Sequence, residues 1–370
     1  MKRIAILLLY LGFTVTLYCQ GNNDVDTNSQ VITGNVYDSK TGLPVSHANV
    51  YLNGSSYFTT TNESGEFYLK VPKKINTQLV ISRMAYETLV IDDPFGKELK
   101  EIHLIEKEYE LSEVVVKPGR FSHQELLKAF ELQFLGNNKA GRSCTILNKE
   151  DIQVYYDEDD KTLYATNDQP VIVENKYSGY QMHCLLTDFK VHYSNKSLNE
   201  KDIANVLLRC NIFFADKTPD NSVIKKRRDE MYKSSSNYFF KNLANKTLKS
   251  SKHLIYNYGW IFAANPDQYF DISDSGSQKI VSIKPNTNIS KQTVDTYQFP
   301  YPTLGIITVV DPTGGSSDIF FLTDEFGIDA FGLIDKKDYV FISGKMDQRI
   351  GNTLPLDYYG KAAITVVSDK

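Results

Sequence analysis

Apolar and polar residues alternate with a period of two near the start of the chain. The three clearest runs, with apolar residues on one face and polar or aromatic residues between them, are residues 32–36, 48–52 and 67–71. A period of two is typical of strands with one buried face. Turn-forming residues separate the runs, at Thr41-Gly42 and at Asn62 to Gly65. The pattern predicts a small antiparallel sandwich.

Further strand-like runs extend this sandwich as far as a Pro-Gly pair. They are residues 79–84, 88–91, 101–105 and 111–116. Pro118-Gly119 follows the last run and is expected to end the domain. We therefore predict one domain over residues 31–117, an immunoglobulin-like or prealbumin-like β-sandwich.

The period changes to that of a helix from Ser122 onward. Ser122 and Glu125 have the spacing of a capping box, and Gly136 is placed to end the helix. The apolar residues that share one face are Leu126, Leu127, Phe130 and Phe134. A short amphipathic helix is predicted to open the second region of the chain.

Strand-like and helix-like segments are mixed in this second region. Strands are predicted at residues 152–156, 162–165, 171–173, 180–193, 306–310, 319–322, 339–343 and 362–367. One helix is predicted over residues 198–210, through Ile203, Leu207 and Cys210. A longer helix is predicted over residues 225–248. The overall prediction is a mainly β protein, in which the sandwich is followed by a larger α+β domain over residues 119–370.

The first 20 residues have the pattern of a secretory signal peptide. Three residues with two positive charges precede an apolar run over residues 4–17. Tyr18 fits poorly before a lipidated cysteine, so we expect a mature chain without lipid, with an acylated Cys19 as the alternative. Residues 21–30 are polar and are predicted to be a flexible linker. No later apolar run is long enough for a transmembrane helix.

The balance of charges excludes one class of partner. Lysine and arginine number 41 against 45 aspartates and glutamates, which gives a net charge of −4. A nucleic-acid-binding protein would carry a positive excess, so nucleic acid is not predicted as a partner. The chain has 24 tyrosines and 20 phenylalanines but one tryptophan, as is typical of sheet and of binding surfaces.

Three cysteines remain after the predicted cleavage: Cys144, Cys184 and Cys210. An odd number permits one disulfide and one free thiol in an oxidising compartment. Cys144 and Cys184 border predicted strands of one sheet, and we predict the disulfide between them.

Sequence motifs for catalysis and for cofactor binding are missing. The chain has no G-x-S-x-G elbow, no P-loop and no dinucleotide fingerprint. His103 and Glu106 have the H-x-x-E spacing of a zinc site, but residues i and i+3 of a strand point to opposite faces. The acidic run at residues 157–160 is better explained as a solvated hairpin tip than as a calcium site. We therefore predict no catalytic residue, no cofactor and no metal.

The predicted sandwich resembles the carboxypeptidase regulatory-like domain, also called carboxypeptidase D regulatory-like. The order G-x-V-x-D-x-x-T-G-x-P-x-x-x-A-x-V-x-L, then a second turn and G-x-F-x-L, is present between Gly34 and Leu69. Despite its name, that domain is not the peptidase.

Three later segments resemble uncharacterised secreted proteins of Bacteroidota that carry this domain in front. The segments are YSGYQMHCLLTDF at 177–189, RRDEMYKSSSNYFFKNLANKTL at 227–248 and LPLDYYG at 354–360. In those proteins the second segment carries N-R-x-x-x-Y-x-G-S-x-x-H-F, whose glycine and histidine are replaced here by Ser234 and Tyr238. The resemblance implies an exported protein of the periplasm or outer membrane, and it identifies no catalytic residues.

These observations favour a non-catalytic protein of the cell envelope. The sandwich would be an interaction or spacer module, and the region after it would bind an outer-membrane or surface partner. Tyrosine is favoured at interface hot spots, so the predicted partner-binding residues are Tyr232, Tyr238, Tyr297 and Tyr301. The alternative is an envelope hydrolase that cleaves peptide or glycan with carboxylates that are not adjacent in sequence. We also expect residues 31–117 and 119–370 to be separable.

Overall fold

The structure is a computed structural model that describes residues 29–72, 74–108, 119–257, 263–284, 303–335 and 339–359. Of the described residues, 42% are in strands and 17% in helices, so the prediction of a mainly β protein is confirmed. A sandwich-like region comes first, and a larger α+β region follows. In the described ranges no helix is both long enough and apolar enough to cross a membrane.

Two sheets form the first region. In one, β1 (Gln30–Asp38) lies between antiparallel β4 (Glu66–Val71) and parallel β7 (Ile102–Leu104). The other has the order β3 (Phe58–Thr60), β2 (Asn49–Leu52), β5 (Leu79–Ser82) and β6 (Leu89–Ile91), all antiparallel. The alternating apolar residues of both sheets form one core, as the period of two predicts.

The turn before β4 requires glycine. Gly65 has a φ of +75°, and a Cβ at this position would lie 2.4 Å from the backbone oxygen of Val36. Only a residue without a side chain fits there, so this turn sequence fixes the register of β4 against β1.

The second region begins with the predicted helix, α1 (His123–Leu135), which packs on a six-stranded sheet. Ser122 and Glu125 form the capping box, and Gly136 ends the helix, as predicted. The ring centroids of Phe130 and Phe189 are 4.8 Å apart, which joins the helix to the sheet. The strands of this sheet are β8 (Cys144–Ile146), β9 (Ile152–Asp157), β10 (Thr162–Asn167), β11 (Val171–Asn175), β12 (Tyr180–Tyr193) and β13 (Ile203–Asp216).

The predicted helix over residues 198–210 is wrong. Residues from Ile203 belong to β13, which pairs with β12 along its length. Ile203, Leu207 and Cys210 have helical spacing by coincidence, and their side chains are half-buried in the strand. Long-range pairing with β12 outweighs this weak local signal.

The predicted helix over residues 225–248 is two helices. α2 (Ser222–Lys233) ends at Ser234, and α3 (Ser236–Ala244) begins after Ser235. Ser235 caps α3, because its hydroxyl accepts a hydrogen bond from the backbone N–H of Tyr238. The serines that interrupt the apolar stripe are therefore the boundary between the two helices.

Two smaller sheets enclose α3 in the last part of the chain. One contains β14 (Leu254–Asn257), β15 (Ala263–Ala264), β18 (Gly305–Val310), β19 (Ser316–Phe321) and β21 (Val340–Gly344), and the other contains β16 (Phe270–Ser275), β17 (Gln278–Ile283) and β20 (Glu325–Ile328). Phe239 and Phe240 of α3 are buried in the core between them. The strands predicted at 306–310, 319–322 and 339–343 are confirmed. The runs at 111–116 and 362–367 lie outside the described residues.

The sandwich packs directly on the second region. The N–H of Gly54 donates to Ile212 O, and the N–H of Phe214 donates to Ser55 O, at 2.7 and 3.0 Å. Tyr51 and Val80 of the sandwich enclose Phe213, which is 4% exposed. Two hydrogen bonds add to this contact. The backbone N–H and the hydroxyl of Ser56, in the sandwich, both donate to the carboxylate of Asp357, in the second region.

Candidate functional site

The three sequence segments that carried the second resemblance meet around one buried arginine. Arg228 of α2 is 2% exposed and donates through Nε to Ser178 O at 2.6 Å. Its two terminal nitrogens donate to the two oxygens of Asp216, both at 2.7 Å. The guanidinium also lies 3.8 Å from the ring centroid of Tyr180. The fork of donors therefore ties α2 to the end of β13 and to the turn before β12.

The segment near the end of the chain reaches the same helix. The Tyr358 hydroxyl donates to Asp229 Oδ1 at 2.7 Å. Its ring lies 6.1 Å from that of Tyr232, which in turn lies 5.1 Å from that of Tyr238. Arginine, tyrosines and aspartates from these three segments and from the end of β13 therefore form one cluster.

The ionisable groups of this cluster are already paired. Burial is the largest single effect on Arg228 and Asp216 and disfavours their charged forms, but their mutual hydrogen bonds together with the nearby charges and the Thr218 N–H outweigh it, so the pKa of Arg228 is raised and that of Asp216 is lowered. Burial, followed by the bond to Asp229, raises the pKa of Tyr358. The paired charges of Arg228 and Asp216 therefore hold the surrounding segments in a fixed orientation.

Two of the four predicted partner-binding tyrosines can be placed, and one of them must be corrected. Tyr232 is 5% exposed and belongs to the core, so in this structure it cannot contact a partner. It faces inward because it sits on the same face of α2 as Arg228, four residues earlier. Tyr238 is half-buried. Tyr297 and Tyr301 lie outside the described residues.

An open groove of about 730 Å³ lies beside α2, on its C-terminal side. We call it the α2 groove, and the residues that matter here are Lys139, Tyr177, Glu230, Ser234, Lys345 and Asp347. The end of α1, the turn before β12, the last turn of α2 and the turn after β21 all contribute to it. It therefore joins elements that are far apart in sequence.

The ring of Tyr177, which lines the α2 groove, has two cationic groups close to it. Lys139 Nζ lies 5.5 Å and the Arg227 guanidinium 5.0 Å from the ring centroid of Tyr177. Cations at these distances are attracted by the ring face. The side chain of Tyr177 is half-buried, and Lys139 is exposed. A partner would therefore meet a pre-arranged tyrosine with positive charge beside it.

Two carboxylates also line the α2 groove. Burial raises the pKa of Asp347, although the neighbouring Arg349 opposes the shift by donating to both of its oxygens, at 3.2 and 3.1 Å. Glu230 is exposed on α2. Asp347 is thus held in an ion pair, an arrangement that also occurs in binding surfaces.

All three described cysteines are free. Cys144 and Cys184 lie on the two strands that flank β11. Cys144 is paired with Asn175 of β11 and Cys184 with Val171, and these two β11 residues are four positions apart. Four strand residues span about 13 Å, beyond the limit of about 7 Å between disulfide-bonded Cα atoms. The structure therefore does not contain the predicted Cys144–Cys184 disulfide.

The thiols are also poorly suited to reaction. The Cys184 thiol is buried, and burial is the main cause that raises its pKa. Burial raises the pKa of the Cys144 thiol to about 12. Both are protonated near neutral pH and therefore unreactive as nucleophiles.

Comparison with known proteins agrees with the architecture of the first region. Two packed sheets with a shared core define a small β-sandwich module. Residues 32–116 match the family model of the CarboxypepD_reg-like domain, which confirms the resemblance seen in the sequence. This domain is a non-catalytic immunoglobulin-like module. The match covers less than a quarter of the chain.

No curated protein matches the chain. One similar solved structure is that of a protein of unknown function from Bacteroides fragilis, described as a candidate membrane-associated protein. It is 11% identical, the match covers 86% of this chain and 96% of that one, and the TM-score is 0.17. A similarity at this level carries no conclusion about fold or function.

Sequence reasoning missed Tyr177 of the α2 groove and the two cations near its ring. Arg227 belongs to a run of basic residues at the start of a predicted helix, a pattern typical of a solvent-exposed surface. Lys139 comes shortly after Gly136, the residue that ends α1. Tyr177 opens one of the segments that carried the resemblance. This resemblance was the only sequence feature that pointed to Tyr177. Nothing in the sequence predicts that cations from two other elements lie near its ring.

Proposed function

We propose that this chain is a non-catalytic protein of the bacterial cell envelope that binds a partner protein through the α2 groove. The observation that carries the proposal is Tyr177 in an open groove, with the cationic groups of Lys139 and Arg227 5.5 and 5.0 Å from its ring centroid. A tyrosine in a pre-formed depression with an arginine beside it is typical of interface hot spots.

The role of the sandwich in this proposal is to hold the second region at a fixed orientation. Its backbone hydrogen bonds to β13 and the enclosed Phe213 support a rigid connection. The signal-like residues 1–20 support export to the periplasm or the outer membrane. The partner would offer a carboxylate to Arg227, because arginine pairs with carboxylates in a bidentate geometry.

Site-specific photo-crosslinking in the native cell tests the proposal. A photoreactive residue in place of Lys139 should form one discrete crosslinked product with an envelope protein, and the same residue in place of Tyr68 should not. Tyr68 is a suitable control because it lies on β4 of the sandwich, outside the α2 groove, and is 61% exposed.

Charge reversal then tests the mechanism of binding. Arg227→Glu should abolish the product formed from position 139, because it places like charges against the partner carboxylate. Lys226→Glu is the matched control, since Lys226 is an exposed neighbour on the same helix, and it should leave the product intact. Equal crosslinking from position 68, or an unchanged product with Arg227→Glu, would contradict the proposal.

The second candidate function is hydrolysis, and one observation favours it. Glu230 and Asp347 line the same groove, and two carboxylates are what a glycosidase requires. Glu230→Gln and Asp347→Asn separate the two functions. A hydrolytic activity on envelope glycan or peptide that each substitution lowers by more than a hundredfold would support the enzyme and displace the binding proposal.

A further inference from the structure

A second cavity, of about 630 Å³, lies between the end of α3, β14, β15 and the start of β16. It shares no lining residue with the α2 groove. Its floor is apolar: Leu248, Ile255 and Phe270 are at most 4% exposed, and Leu254 beside them is 45% exposed. Its volume is in the range of small-molecule sites.

Three lysines stand around this apolar floor: Lys246, Lys249 and Lys252. All three are exposed, and no carboxylate of the described residues lies within ion-pair distance of any of them. One carboxylate, Asp267, also lines the cavity, which leaves a formal excess of two positive charges. The rim therefore attracts an anion.

The loop that carries the lysines is held by its own backbone. The N–H groups of Lys246 and Lys252 donate to Leu243 O and Lys249 O, at 3.0 and 3.2 Å. Both lysines have left-handed backbone angles, with φ of 57° and 64°. These backbone bonds hold the loop in place, so the lysines can reach the opening of the cavity without ordering of the loop on binding.

His253 forms part of the wall and adds no charge. Its ring packs against Tyr238 and Phe239, with centroids 5.3 and 5.6 Å apart. Burial lowers its pKa to about 4, so the ring is neutral near pH 7. The positive charge of the rim therefore comes from lysine alone, and the wall stays compatible with an apolar ligand.

We infer that this cavity binds a single-chain anionic lipid, with the acyl chain on the apolar floor and a carboxylate or phosphate head group at the three lysines. A small hydrophilic anion would leave the exposed Leu254 and the half-buried Ile272 of the cavity in contact with water. An uncharged chain would leave the lysines without a counter-ion. Only a ligand with both parts satisfies both halves of the cavity.

Calorimetric titration of the purified mature chain with matched probes tests this inference. Dodecanoate should bind with a Kd at least tenfold lower than dodecanol, and acetate and inorganic phosphate should not bind. Dodecyl phosphate should bind like dodecanoate, which would extend the head group to phosphate. Equal binding of dodecanol, or of dodecyltrimethylammonium, would overturn the inference, as would binding to anionic vesicles without binding of monomeric dodecanoate.

Two sets of charge variants locate the site. Lys246→Asn, Lys249→Gln and Lys252→Asn together should raise the Kd for dodecanoate at least tenfold, since asparagine tolerates the left-handed angles at 246 and 252. The matched control is Lys40→Gln, Lys70→Gln and Lys128→Gln, which removes the same charge from exposed positions on other elements. Equal loss in both sets would contradict the assignment.

A variant of the floor keeps the test independent of charge. Leu254→Ser should weaken dodecanoate more than hexanoate, because only the longer chain covers this part of the floor. Leu254 is exposed enough that its substitution is expected to leave the fold intact, which circular dichroism checks. An equal effect on both chain lengths would place the acyl chain elsewhere and overturn the inference.

Discussion

At the scale of single residues, Arg228 shows how a buried charge organises this protein. Its guanidinium reaches Asp216, Ser178 O and the face of Tyr180, which come from separate elements. Its hydrogen bonds to Asp216 and Ser178 O are charge-assisted, because the charged guanidinium is the donor in each. Removal of the arginine would leave the Asp216 carboxylate, which is 29% exposed, without its partner.

Arg228→Met is therefore expected to lower the free energy of unfolding by about 3 kcal/mol, the cost typical of breaking a buried ion pair. Arg228→Lys should recover only part of it, because an ammonium lacks the planar fork of donors that pairs with both Asp216 oxygens while Nε bonds Ser178 O. Urea unfolding measures the difference, with Lys226→Met as the exposed control on the same helix. A change below about 1 kcal/mol for Arg228→Met, the range of a surface pair, would contradict the structural role.

His253 makes stability depend on pH. Ser251 Oγ donates to Leu248 O and lies 2.7 Å from His253 Nδ1, so Nδ1 carries the ring proton and donates to the hydroxyl. Nε2 is buried, and within the described part of the chain it has no hydrogen-bond partner. Burial lowers the pKa of the folded histidine from 6.5 to about 4. The unfolded chain therefore takes up a proton at a higher pH than the folded chain.

The contribution of His253 to stability should be fully present above pH 6.5 and lost as the pH falls towards 4. The loss is expected to reach about 3 kcal/mol, since each pKa unit corresponds to 1.36 kcal/mol. Urea unfolding between pH 7 and 4 should give a steeper decline for the native chain than for His253→Asn, whose amide N–H can replace Nδ1. Parallel pH profiles for the two chains would contradict the prediction.

At the scale of elements, Ser235 decides where one predicted helix becomes two. Its hydroxyl donates to Tyr232 O and accepts from the N–H of Tyr238, so it closes α2 and caps α3. Ser235→Ala should lower the free energy of unfolding by about 1 kcal/mol, the usual cost of losing a cap. Ser235→Asn should retain most of it. Thermal unfolding with Ser236→Ala as control checks this, and equal effects at 235 and 236 would contradict it.

Local signals in the sequence predicted most elements, and long-range pairing decided the exceptions. The capping box of α1 and the alternation of β4 are contained within a few residues, so both could be read directly. β13 could not, because its strand conformation comes from pairing with β12 rather than from its own pattern. The α2 groove was out of reach for the same reason, since Lys139, Tyr177 and Arg227 meet only in the folded chain.

At the scale of the whole molecule, the sandwich and the second region share a buried contact. Phe213 of β13 has its ring 4.8 Å from Tyr51 and 4.8 Å from Phe58 of the sandwich. On its other side the ring stacks on His183 at 4.5 Å. The separability expected from the sequence stays a prediction, but two halves produced apart would expose Tyr51, Val80 and Phe213 to water.

Because of this contact we expect the full chain to unfold in one calorimetric transition. Phe213→Ala removes the aromatic ring that both regions share, a change that typically costs 3–5 kcal/mol in a core. It should split the transition into two, with the sandwich melting first because a domain of its size is marginally stable alone. Tyr68→Ala, on an exposed face of the sandwich, should leave one transition. Two transitions in the unmodified chain would show that the contact does not couple the regions, and the sandwich would then be a separable spacer.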